Sequence, residues 1–143
     1  MNLNSHHILI TERLKLVIVT HKNVLTQESI QLFVQEVLQN PFFKPDYNVL
    51  IDIRNSVINM SIGEIEECSN HLFQQLNKIK LKKLAILTKT ASQAIKAVEF
   101  VHFYKQSSLF QVFSSIEATL SWLEIPIIRK SQIKLKLYYL SNC

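Results

Sequence analysis

A chain of 143 residues with 48% hydrophobic, 9% aromatic and 19% charged residues has the size of one domain and enough apolar surface to offset its ordering entropy, which excludes a disordered tail or linker. Its single glycine, Gly63, excludes Walker-type and dinucleotide-binding loops, which need several glycines where backbone closes on a phosphate. The formal charge of +5 is concentrated after Glu124, where Arg129, Lys130, Lys134 and Lys136 stand without an acid, and the balanced body of the chain speaks against nucleic acid as a partner.

In chain order, residues 7–12 and 14–20 are extended runs rich in Ile, Leu and Val, and they predict a tight hairpin turning at Arg13. From Thr26, a plausible N-cap, the period becomes helical, with Ile30, Phe33, Val34, Val37 and Leu38 on one stripe. Pro41 and Pro45 end that helix. Val49, Leu50, Ile51, Asp52 and Ile53 then form the near-continuous apolar run of a central strand covered on both faces. Ser61-Ile62-Gly63-Glu64 has the spacing of a capping box and opens a second helix with Ile65, Cys68, Leu72, Phe73 and Leu76 inward. The lysines Lys78, Lys80, Lys82 and Lys83 separate it from a strand over 84–88. A third helix over 91–106, a short strand around 111–114 and a last helix capped by Ser115 and stopped before Pro126 complete the order β-β-α-β-α-β-α-β-α. Residues 1–126 make one domain. In the basic extension 127–143, Ile133, Leu135 and Leu137 alternate with Lys134, Lys136 and Tyr138, which predicts an added strand whose apolar face packs on the domain or on a second copy, and so a homodimer.

The chemistry-bearing residues are sparse. Asp52 is placed near the end of an apolar strand, where open α/β sheets bind ligands; it is either an acid/base or an acceptor for the amides of the following loop. His6, His7, His21, His71 and His102 show no metal-ligand spacing, and Cys68 and Cys143 form no Cys-x-x-Cys pair, so no metal or other cofactor is expected. No Gly-x-Ser-x-Gly elbow is present. On the third helix, Ala91, Ala94, Ile95, Ala97, Val98, Val101 and Tyr104 share one arc, leaving Phe100 and Phe103 on the flank beside Gln93 and Lys96, either covered by a neighbouring helix or the C-terminal extension or forming a patch for a partner, an apolar ligand or a membrane. The start of the chain lacks the basic residues and apolar run of a signal peptide, and no stretch reaches ~18 uninterrupted apolar residues, so a cytoplasmic location is expected.

The element order, the strand Asn48-Val49-Leu50-Ile51-Asp52-Ile53-Arg54, the preceding Asn40-Pro41-x-Phe43-Lys44 loop and Glu117-Ala118-Thr119-Leu120-Ser121-Trp122-Leu123 together resemble the SpoIIAA-like branch of the STAS (STAS/SEC14-like) domains, relatives of the anti-sigma factor antagonists. The resemblance covers roughly residues 7–124 and implies a mixed α/β sheet with an N-terminal hairpin and about four helices. Antagonists of that family switch by phosphorylation of a serine in an Asp-Ser-Ser-Gly motif. The matching stretch here is Met60-Ser61-Ile62-Gly63, which keeps only Ser61 and loses the acid and the second serine. The resemblance therefore implies a non-enzymatic module that binds a partner protein or an apolar ligand through Met60, Ser61, Ile62, Lys96, Phe100 and Phe103. A second expectation is peripheral membrane association, with Phe100 and Phe103 inserting while Lys96, Lys105 and the basic extension meet anionic headgroups; a third is an enzyme using Asp52.

Overall fold

The computed structural model describes residues 5–76, 82–103 and 107–142. Lys78, Lys80, the end of the expected third helix with Tyr104 and Lys105, and Cys143 lie outside the described residues. The order is β1 (His6–Thr11), β2 (Leu16–Leu25), α1 (Gln27–Gln39), β3 (Asn48–Ile58), α2 (Ile62–Leu76), β4 (Leu84–Leu87), α3 (Ala91–His102), a 3-10 turn (Ser107–Leu109), β5 (Phe110–Phe113), α4 (Ile116–Trp122) and α5 (Ile127–Ser141).

The strands form one sheet in the order β1-β2-β3-β4-β5, antiparallel at β1–β2 and parallel thereafter. This linear order has a consequence. Each strand-helix-strand crossover is right-handed in nearly all proteins, so successive crossovers that advance in one direction put all their helices on one face. Here α1, α2 and α3 do so, packing on Val17, Val19, Val49, Ile53, Leu84 and Ile86. The opposite face would be left bare, and the chain after β5 covers it: α4 and α5 bury Leu120, Leu123, Ile133 and Leu137 against Leu16, Ile18, Leu50, Ala85 and Leu87. The central place of β3, with both faces covered, is as its apolar run predicts.

Within the extension 127–143, Ile127–Ser141 form a helix and not the expected strand. Its strand-like alternation would place Ile133, Leu135 and Leu137 on one side, but only Ile133 and Leu137 are buried, at the i, i+4 spacing of a helix face, while Leu135 points to water. Asn55 Nδ2 ties its end by donating to the Ser141 carbonyl at 3.2 Å. α4 is held likewise, since Asn48 Nδ2 donates to Leu123 O at 3.1 Å and Lys83 Nζ donates to Trp122 O at 2.8 Å, satisfying carbonyls that a helix end leaves open.

Local signals set the helix starts. The Thr26 hydroxyl accepts from Ser29 N and Ser29 Oγ accepts from Thr26 N, each at 3.2 Å. Ser61 Oγ accepts from Glu64 N at 3.2 Å while Glu64 Oε1 accepts from Ser61 N at 3.1 Å, the reciprocal capping box that the sequence spells. The hairpin is wider than expected, with residues 12–15 outside the strands and Lys15 at φ 51. No described helix is long and apolar enough to cross a membrane.

Candidate functional site

Between the sheet and α1–α3 lies a cavity of about 90 Å³ whose lining side chains are apolar apart from Lys96. β2, β3 and β4 supply its floor through Val19, Ile51 and Ile86, and the helices supply Phe33, Leu72 and Phe100. On α3 the buried Ala97 lines the cavity with a small side chain next to the bulkier Phe100. Lys96 contributes its stem only, because its ammonium donates to the Ile58 carbonyl at 2.9 Å. Among the described residues, Lys96 is the one titratable side chain in the lining.

The six residues expected to form one surface divide in two. Met60, Lys96 and Phe100 line the cavity, and Phe103 packs beside it on Met60, Ile65 and Cys68. Ser61 and Ile62 stand exposed at the start of α2 and do not reach it. The arc assigned to α3 needs correction. Ile95 and Val98, expected in the core, are exposed, whereas Phe100 and Phe103, expected on the flank, turn inward. The physical reason is Gln93, which is buried at the helix start, where its Nε2 donates to Arg54 O at 3.1 Å and Ser56 O at 2.7 Å and its Oε1 accepts from Lys89 N at 2.7 Å and Thr90 N at 3.1 Å. A residue counted as surface on composition thus fixes the rotation of the helix by satisfying strand-end carbonyls and cap amides.

At the far end of the strands a polar group of residues surrounds Asp52. Its side chain is 3% exposed, and its two oxygens accept from Arg54 Nε and Nη2, each at 2.9 Å, with Oδ1 also taking Arg54 N at 3.1 Å. The pairing holds the Arg54 guanidinium above its ordinary value, chiefly through this hydrogen bond. The adjoining space, lined by Thr20, Asp52, Asn55 and Leu140, measures about 10 Å³, the room of one water and no substrate. Asp52 is thus an acceptor for the amide and guanidinium of Arg54, within its own strand, and not for the amides of the following loop as the alternative to acid/base chemistry had it. A wider polar cleft bordered by Arg54, Lys89, Ser114 and Lys134 opens beside it, yet none of the buried polar atoms without a protein partner (Thr20 Oγ1, His21 Nε2 and Asn48 Oδ1) belongs to a residue lining that cleft.

Two further buried titratable groups are His21, which the sequence did not single out, and Cys68, which was expected on the inward face of α2. His21 sits opposite His6 in the strand pair, its ring 6.4 Å from Phe33, with Nδ1 2.6 Å from Ser56 Oγ; burial pushes its imidazole down to about 4, and the neighbouring His6 adds to the effect. Burial pushes the Cys68 thiol up to about 11, helped by Glu67, so it behaves as a small apolar core residue and not as a nucleophile at neutral pH. Among the described residues, no group of three or more His, Cys, Asp or Glu side chains is arranged to hold a metal ion.

No protein-family model matches the chain, and no curated protein matches it significantly. Among solved structures, an uncharacterized protein of the DUF3478 family from Shewanella loihica PV-4, described as having a SpoIIAA-like fold, is similar at 22% identity with a TM-score of 0.53, over 86% of this chain and 98% of that one. The protein is therefore an α/β domain with a SpoIIAA-like fold, as the resemblance implied. The likeness at this identity concerns the fold.

Proposed function

We propose that the protein is a non-enzymatic binding module that takes a small apolar ligand into the cavity between the sheet and α1–α3. The observation that carries this reading is the cavity itself: about 90 Å³ lined by apolar side chains, with Lys96, the one cation among the described lining residues, donating to a backbone carbonyl. An apolar guest in this space removes the apolar lining from water, which is favourable by roughly 25 cal/mol per Å² covered. The lining offers no hydrogen-bond partner, so the ligand is selected by shape and apolarity alone. The SpoIIAA-like fold is consistent with a regulatory, non-catalytic role.

Benzene and xenon are suitable probes, since dry apolar cavities of this order admit both. Either should raise the melting temperature of the full chain, and neither should raise that of Ala97→Leu, whose larger side chain occupies the space. Native mass spectrometry of the protein from its own host would then identify the natural occupant. If neither probe shifts the melting temperature and Ala97→Leu is itself strongly destabilised, the cavity is not open to guests and the reading fails.

A further inference from the structure

The helix α5 has two apolar sides, and the one that carries Ile133 and Leu137 faces the sheet. Ile133 and Leu137 are fully buried on the sheet, but Ile127 and Ile128 are 84% and 81% exposed, and Leu135, Tyr138 and Tyr139 are each more than half exposed. At ~100° per residue, Ile128, Leu135 and Tyr139 fall within about 40° of one another, on the side of the helix opposite Ile133 and Leu137. Arg129 and Lys136 flank this outer stripe on one side, and Lys134, paired with Glu117, lies on the other. Lys130 is turned inward, donating to Ser121 Oγ at 2.9 Å. The helix carries four cations and no anion.

We propose that the outer face of α5 docks in the plane of an anionic lipid bilayer. An exposed aliphatic stripe ending in two tyrosines, edged by cations, is the composition of a helix that lies at a membrane interface: the isoleucines and leucine enter the acyl boundary, the tyrosines sit at headgroup level, and Arg129 and Lys136 meet the lipid phosphates. The same charges argue against a second copy as the occupant, since a two-fold contact through this face would bring Arg129 and Lys136 of one chain toward those of the other with no acid on the helix to neutralise them. α3 offers a weaker alternative surface, because its exposed Ile95 and Val98 are accompanied by Lys96, whose ammonium is engaged with Ile58 O, and by the acidic Glu99. The surface is separate from the apolar cavity, which lies across the sheet, so either assignment can fail without the other.

Co-sedimentation of the full chain with vesicles tests this directly. Binding is expected to phosphatidylcholine vesicles containing about one-third phosphatidylglycerol and not to phosphatidylcholine alone, and it should weaken as salt is raised. Arg129→Gln with Lys136→Gln should weaken partition by about 30-fold, the product of two juxtaposed cations. Ile127→Ser with Ile128→Ser should weaken it by about tenfold or more while leaving the circular dichroism spectrum and melting temperature unchanged, because neither side chain supports the fold. Ile95→Ser with Val98→Ser should leave partition unchanged. No partition to anionic vesicles at low salt would overturn the proposal, as would its loss in the α3 variant instead of the α5 variant. A doubled mass in sedimentation that Ile128→Ser abolishes, without vesicle binding, would assign the face to a second copy.

Discussion

On the face of the sheet covered by α4 and α5, Leu16, Ile18, Leu50, Ala85, Leu120, Ile133 and Leu137 have no exposure at all, whereas on the face covered by α1–α3 the alternate residues of the same strands border a cavity of about 90 Å³. Both faces are apolar over the centre of the sheet, with Leu16, Ile18, Leu50, Ala85 and Leu87 on one and Val17, Val19, Val49, Leu84 and Ile86 on the other. The difference lies in the covers. α1, α2 and α3 are each tethered at both ends to strands, so their positions are set by crossover connections and the gap between them cannot be closed by sliding. α4 and α5 follow the last strand, are tied to the sheet mainly by side chains, and can settle to best contact. A cavity is therefore expected on the crossover face.

Truncations in the close-packed face should be the most damaging changes. Leu137→Ala removes a fully buried side chain from a site with no slack, and it should cost about 3 to 5 kcal/mol in urea unfolding. A cost below about 1 kcal/mol would show that α5 is not integral to this core and would erase the contrast between the faces.

The next effect is pH dependence, and it belongs to the crossover face, where His21 packs near Phe33 of α1. The imidazole titrates at about 4 in the folded protein and near 6.5 when unfolded. The unfolded chain therefore binds the proton first, so the stability is fully present above pH ~6.5 and is lost at up to about 1.4 kcal/mol per unit as pH falls toward 4. Urea melts across this window should show that slope in the wild type, and His21→Phe should remove its share. An unchanged slope in the variant would mean that His21 is solvated in the native state.

The two buried alanines sharpen the comparison with a smaller effect. Ala85→Val, on the close-packed face, should cost about 1 to 3 kcal/mol through overpacking. Ala97→Val, beside the cavity, should cost less than about 1 kcal/mol or stabilise. Equal costs would mean that the cavity is not available to an added methyl group.

Smallest of all is the cap of α2. Ser61→Ala should cost about 1 kcal/mol and Ser61→Asp should restore it, because aspartate accepts the same Glu64 amide hydrogen and suits the positive end of the helix. Ligand uptake by the cavity should be unaffected by either change. Should Ser61→Asp abolish binding to a partner that co-purifies with the wild type, with melting unchanged, Ser61 would be a regulatory site as well as a cap.

What the sequence determined by itself was the succession of elements through α4. Its signals there are local: the apolar run of β3, the stripes of α1 and α2, the capping box at Ser61–Glu64 and the cap at Ser115 each report on their own few residues. The β-β-α-β-α-β-α-β-α order then leaves few topologies open. Three things were decided only in the tertiary structure. The extension is a helix because the bare face of the sheet needs a cover, and its period was masked by apolar residues on the outer side, Leu135 and Tyr139, which serve no core. The rotation of α3 follows from Gln93 meeting the carbonyls of Arg54 and Ser56, a pairing across 39 and 37 residues that no local pattern encodes. The cavity belongs to no single segment, since it is the space left where three helices, each placed by its own connections, fail to meet above one sheet.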